Sequence, residues 1–194
     1  MSEKVIYAAI LGAGTVGMGT YKLCQAMEDE IKHKTGARLV IKKILVRNIG
    51  KKRDGIPEEL LTDDWADIIT DDQISIIVEL MGGIHPAKDY VLDALKAGKQ
   101  VVTANKDLIA EYGEEVGNAA NEAGADLQFE AAVAGAIPII RPLKQSMAGN
   151  HITEIMGIVN GTTNYILTKM TESGMDYAEA LAKATELGLS LIHI

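Results

Sequence analysis

The chain has 194 residues, 47% hydrophobic and 24% charged, which is ordinary globular usage and enough apolar content for a real core. Its formal net charge of −8 argues against a nonspecific nucleic-acid binder, because phosphate binding needs a basic face. The lone Cys24 rules out a disulfide framework or cysteine-rich zinc site, and neither a signal-peptide h-region nor a membrane-length apolar run is visible, so a soluble cytoplasmic protein is expected.

Strand-like and helix-like segments alternate from the start. Residues 5–11 form a short, almost wholly apolar run that stops at Gly12, as a strand buried on both faces would. Val16, Thr20, Leu23, Cys24, Met27 and Ile31 then recur at helical spacing and predict one apolar stripe. Residues 39–46 read as a second strand, and 48–57 as a polar, basic loop. A further buried strand is expected over 74–81, closed by Gly82 and Gly83. Pro86 suits the first turn of a helix reaching about Ala97, with Gly98 as its stop. Residues 100–104 predict a short strand, 107–123 a helix ended by Gly124, and 127–133 another strand. This order predicts an α/β fold: a doubly wound parallel sheet with right-handed crossovers, over residues 1–133.

After Val133 the texture changes. A turn through Pro138 leads to a helix over roughly 139–147, residues 152–159 alternate as a strand would, and the segment from Asn160 enters a helix. Residues 176–187, with Ala180, Leu181, Ala184 and Leu187 in phase, form an amphipathic helix stopped by Gly188. Residues 134–188 are therefore expected to open a second, α/β domain. Residues 189–194 resemble the translation of a transposase sequencing adapter and are expected to be a non-native tail, the alternative being a final strand.

The chemistry concentrates in three places. The run Gly12, Ala13, Gly14, Thr15, Val16, Gly17 is a G-x-G-x-x-G between a buried strand and a helix, the context in which it cradles a dinucleotide. Gly12 permits the tight turn, Gly14 lets the pyrophosphate approach the backbone, and Gly17 lets the helix pack close. The helix N-terminus offers free N–H groups and a positive dipole end. Second, an acid at the end of the second strand would bind the 2′-hydroxyl of NAD. This chain has Arg47 there, followed by Lys51, Lys52 and Arg53, which favours NADP, with NAD or a merely solvated basic loop as alternatives. Third, Lys106 stands just past a strand's carboxyl end, where it could relay a proton to a substrate oxygen, a role favouring a pKa lowered by burial. The alternative is a helix-start lysine in water.

Other groups read as structural. His33, His85, His151 and His193 lack metal-ligand spacing, Asp63-Asp64 and Asp71-Asp72 read as solvated loop pairs, and Cys24 as a buried, inert thiol.

Together the glycine run, Met81-Gly82-Gly83, Thr103-Ala104-Asn105-Lys106 and the segment from Gly157 to Leu167, containing Asn160-Gly161-Thr162-Thr163-Asn164, resemble the homoserine dehydrogenase family. The resemblance implies NAD(P)-dependent interconversion of L-homoserine and L-aspartate 4-semialdehyde, on the route to threonine and methionine. It implies that Lys106 takes part in proton transfer beside the nicotinamide, that Ala13, Val16 and Gly82 line the cofactor, and that Gly161 and Thr162 contact the substrate. Glu130, Val133, Gly135 and Ile137 match the family's sodium loop, where oxygens, largely of the backbone, hold the ion. In the family, an acidic substrate-binding segment and a second catalytic lysine follow the helix ending near Gly188, so the chain is expected to be an N-terminal fragment of a homodimeric enzyme. The rival readings are a cofactor-binding but inactive module, and another Rossmann-type dehydrogenase, of the kind carrying Glu-Lys-Pro where this chain has Asn105-Lys106-Asp107.

Overall fold

The structure, a computed structural model, describes residues 3–135, 137–158, 160–187 and 189. The chain divides into two compact units, residues 1–136 and 137–194.

The first unit is built on strand β1 (Val5–Leu11), whose residues are apolar on both faces because both faces are covered. Ala9 and Leu11 point into one core with residues of helices α4 (Ala87–Lys96) and α5 (Lys106–Ala123). Ala8 and Ile10 point into the other, against Tyr21 of helix α1 (Thr15–Ala26) and Ile41 and Ile44 of strand β2 (Arg38–Leu45). Ile10 and Leu11 are fully buried, each contributing about 2–3 kcal/mol of transfer free energy. With β3 (Leu61–Thr62), β4 (Ile74–Glu79), β5 (Gln100–Thr103) and β6 (Leu127–Gln128), these strands form a six-stranded sheet in the order β3-β2-β1-β4-β5-β6. Every pairing is parallel, as expected of a doubly wound sheet. The register aligns Thr62, Leu45, Leu11, Glu79 and Thr103 in one row across the strand ends.

Several local expectations need correction. The helix after the glycines breaks at Met27, and α2 (Glu28–Thr35) follows, ending at Gly36 in the left-handed conformation. The buried side of α1 is Gly17 and Tyr21, with Met18 and Cys24 packed against the core, while Val16, Leu23 and Met27 face outward. A glycine adds nothing to a hydropathy stripe, yet Gly17 is buried, close against the turn after β1. The strand expected over 127–133 pairs only at Leu127 and Gln128, and a 3-10 turn (Glu130–Ala132) follows, since β5 ends at Thr103 and offers no longer ladder. Strand β3 and helix α3 (Ala66–Ile69) are too short for periodicity to reveal. Asp71 is no free surface acid: its carboxylate accepts from Lys42 Nζ at 2.5 Å, which holds its pKa below the ordinary aspartate value. Asp64 accepts from Ala66 N–H at 2.8 Å, just before α3 begins.

In the second unit, α6 (Gly161–Ser173) and α7 (Tyr177–Glu186) pack through Ile166, Ala180 and Ala184, while Leu187 is exposed, outside the expected apolar phase. The expected 139–147 helix is present over 140–146, wound as π-helix at Pro142–Ser146. Residues 151–158 form no strand despite their alternation, and Ile155, Met156 and Ile158 are exposed. A strand needs a partner for its backbone, and no described residue of this unit supplies one. Ala136, Val159, Gly188 and most of the expected tail, 190–194, lie outside the described residues.

Candidate functional site

The carboxyl ends of β1, β2 and β4 meet at the glycine turn. Gly12 N–H donates to Leu45 C=O at 2.9 Å, and Leu80 N–H donates to Leu11 C=O at 2.8 Å. Gly12 has φ +100°, and a Cβ there would lie 2.9 Å from the Leu80 carbonyl oxygen, so only glycine fits. At Gly17 a Cβ would come within 2.0 Å of the Gly12 carbonyl oxygen. At Gly14, by contrast, it would meet nothing within 4 Å. Gly14 is the N-cap of α1, no side chain caps this end, and no acid occupies the first turn. The leading N–H groups therefore face open space with the positive end of the helix dipole behind them. Ala13 is half-buried, whereas Thr15 and Val16 are exposed beside this opening. Such a cradle fits a diphosphate: the donors are backbone N–H groups and the missing side chain leaves room for its oxygens.

β2 ends at Leu45, Val46 is buried, and Arg47 is exposed, with no hydrogen bond or ion pair among the described residues. Arg53 braces this loop, donating to the carbonyls of Asn48 (3.0 Å) and Lys51 (2.7 Å). Gly82 and Gly83, after β4, both have φ near +70°. Across from them Asn105 caps α5, its Oδ1 accepting from Leu108 N–H at 3.1 Å, while its Nδ2 donates to Gly83 C=O at 2.6 Å.

Lys106 opens α5 at this same edge, but the burial expected of it is absent. Its side chain is 74% exposed and its Nζ lies 3.6 Å from Asp107 Oδ1. Leu108 takes the core-facing position of this first turn, and Lys106 faces solvent. Sequence reasoning missed Glu79, a fully buried carboxylate bonded to Thr103 and Met81 N–H. Its signal was an acid within an otherwise buried strand run. Cys24 is half-buried, and burial raises its thiol pKa, as befits an inert group.

The remaining sequence-predicted residues lie elsewhere. Glu130 and Val133 belong to the turn after β6, where Val133 N–H donates to Glu130 C=O at 3.2 Å, and Gly135 has φ +36°. Ile137 begins the second unit and is exposed. Among the described residues, no cluster of three or more His, Cys, Asp or Glu side chains could hold a metal ion. In the second unit, Asn160 caps α6 by accepting from Thr163 N–H at 2.8 Å. Gly161 is exposed, and Thr162 Oγ1 donates to the Leu189 carbonyl. None of the described helices is long and apolar enough to cross a membrane.

A parallel sheet whose order turns at its central strand, with a glycine cradle at the carboxyl edge, defines a Rossmann-type nicotinamide dinucleotide-binding domain. Residues 12–130 match the family model "Homoserine dehydrogenase, NAD binding domain", and residues 138–190 the model "Homoserine dehydrogenase". The chain belongs to the homoserine dehydrogenase family. It is 46% identical over 188 residues to the homoserine dehydrogenase of Bacillus subtilis, covering 96% of this chain and 43% of that one. To the Corynebacterium glutamicum enzyme it is 51% identical over 180 residues, covering 93% and 40%. The structure of a homoserine dehydrogenase from Thiobacillus denitrificans superposes with a TM-score of 0.87 at 40% identity, over 98% of this chain and 44% of the other. A hyperthermophilic archaeal homoserine dehydrogenase in complex with NADPH gives 0.78 at 28% identity, over 97% and 63%. The chain thus spans less than half the length of its Bacillus and Corynebacterium relatives.

Proposed function

We propose that these residues are the cofactor-binding part, and the opening of the substrate part, of an NADP-preferring, cytoplasmic, homodimeric homoserine dehydrogenase. The whole enzyme interconverts L-homoserine and L-aspartate 4-semialdehyde on the route to threonine and methionine. The observation that carries this reading is the cradle at Gly14, an uncapped helix N-terminus with room for a diphosphate, in a chain of this family. Gly12, Ala13, Gly14, Thr15, Val16 and Gly17 hold the pyrophosphate and Gly82 lines the nicotinamide side. The exposed guanidinium of Arg47 takes the 2′-phosphate, a bidentate task suited to arginine.

When bound, the nicotinamide supplies or accepts a hydride at the substrate carbon. The chain's part is to orient and to handle protons. Lys106, at the carboxyl edge of the sheet, would hold or give up a proton at the substrate oxygen, with the bound ligands excluding water from its exposed ammonium. Gly161 and Thr162, at the first turn of α6, bind the substrate through backbone N–H groups and a hydroxyl. Glu130, Val133, Gly135 and Ile137, which lie within eight residues of one another, supply oxygens of the hard type that sodium prefers.

The test is a titration of NADPH and NADH against the wild-type chain and Arg47→Ala, beside homoserine oxidation by this chain and by one extended to the relatives' full length. NADPH is expected to bind more tightly than NADH in the wild type, and the substitution to erase the difference. An unchanged affinity ratio refutes the role of Arg47. Cofactor binding without turnover in either length supports an inactive binding module instead.

A further inference from the structure

Strand β4 ends in an acid that solvent does not reach: Glu79 is 0% exposed. A carboxylate removed from water is costly unless its oxygens are satisfied, and among the described residues no lysine, arginine or histidine forms an ion pair with it. Two neutral donors hold it. Met81 N–H donates to Oε1 at 2.8 Å, and the Thr103 hydroxyl donates to Oε2 at 2.6 Å. The second contact follows from register, because Glu79 and Thr103 are direct partners across β4 and β5.

The chain of contacts continues into both loops. Thr103 Oγ1 accepts from Asn105 N–H at 3.0 Å, and Asn105 Nδ2 reaches Gly83 C=O at 2.6 Å. A closed ring results, from Glu79 through residues 81–83 to Asn105 and back through Thr103. Lys106 is the next residue along the chain. A carboxylate suits the hub because it only accepts and offers one oxygen to each loop; a glutamine would turn an NH₂ toward one of the donors.

We propose that Glu79 is a positioning residue: its carboxylate fixes the 81–83 loop against the 104–106 turn, so that Lys106 is presented at the nicotinamide end of the cofactor site. The second half of this statement rests on the dinucleotide reading given above; the first half does not.

The experiment uses Glu79→Gln and Thr103→Val, with Thr103→Ser as the conservative control. Without ligand, amide exchange is expected to accelerate about tenfold at Met81 in Glu79→Gln and at Asn105 in Thr103→Val, the amide whose acceptor each change weakens or removes. Ile10 in the core is expected to exchange as in the wild type, and Thr103→Ser to match it throughout. With ligand, NADPH is expected to bind about tenfold more weakly to the Gln and Val variants. Binding of 2′-phospho-ADP-ribose, which lacks the nicotinamide, is expected to stay at the wild-type value. Equal loss for both ligands, or unchanged exchange at Met81 and Asn105, overturns the proposal. If the wild type binds neither ligand, the dinucleotide reading falls, and the exchange measurement still decides whether Glu79 clamps the loops. Should Glu79→Gln fail to fold, Thr103→Val keeps the carboxylate and its Met81 contact and tests the same ring.

Discussion

Alanine at Gly17 and alanine at Gly14 are the same chemical change three residues apart, yet the structure gives them opposite consequences. At Gly17 the new methyl falls 2.0 Å from the Gly12 carbonyl oxygen, against an ordinary carbon–oxygen contact of about 3.3 Å. Helix α1 and the turn must therefore separate by about 1.3 Å, an overpacking that costs about 3 kcal/mol. The better helix propensity of alanine returns about 1 kcal/mol, leaving a loss of about 2 kcal/mol. In a chain of this size that lowers Tm by about 4–8 °C. At Gly14 the methyl meets nothing, and the N-cap backbone (φ −79°, ψ −164°) suits any residue. The stability change there stays below about 1 kcal/mol. Instead, the methyl stands where a pyrophosphate would lie, and NADPH affinity is expected to fall about tenfold or more. Thermal melts followed by circular dichroism and fluorescence titrations with NADPH separate the two effects. A Gly14→Ala chain that binds NADPH like the wild type refutes the argument from backbone approach. A Gly17→Ala chain with an unchanged melt refutes the claim that this contact pins the helix.

Two further outcomes concern the opposite end of the sheet. Lys99 is 6% exposed and donates to the carbonyls of Asp71 (2.8 Å) and Ile74 (2.7 Å), so Lys99→Met is expected to lose about 2 kcal/mol in urea denaturation. An unchanged midpoint would show that these carbonyls need no donor. Lys42 holds the Asp71 pKa down, so the pair's contribution is complete above the unfolded-state value, about 3.9, and fades as pH falls through the lower folded one. The wild type should therefore lose stability on acidification below about pH 4 more steeply than Asp71→Asn, and parallel acid curves would contradict the assignment.

The sheet was legible because burial on both faces makes a strand apolar throughout, as at Val5–Leu11, and because glycines such as Gly124 stop helices by backbone conformation. What escaped depends on partners. Residues 152–158 alternate correctly, but alternation describes side chains and a strand also requires a neighbouring backbone. The stripe along α1 was misjudged because the buried Gly17 has no side chain to register, leaving the outward Val16 and Leu23 to set the phase. Of the candidate site, the glycine cradle could be read from spacing. The exposure of Lys106 and the ring around Glu79 could not: the first depends on which side of α5 meets the core, the second on which residues parallel strands bring side by side.

That parallel arrangement also sets when the first unit can become stable. The central strand β1 pairs with β2 from Arg38 onward, but its other edge stays open until β4 arrives at residues 74–79. During synthesis the first strand therefore waits, half-paired and apolar on both faces, while more than sixty further residues are made. Such long-range pairing slows folding and leaves a sticky edge exposed to other nascent chains. A ribosome stalled between β2 and β4 would hold the most aggregation-prone form of this protein, and chaperones are expected to engage it in that interval.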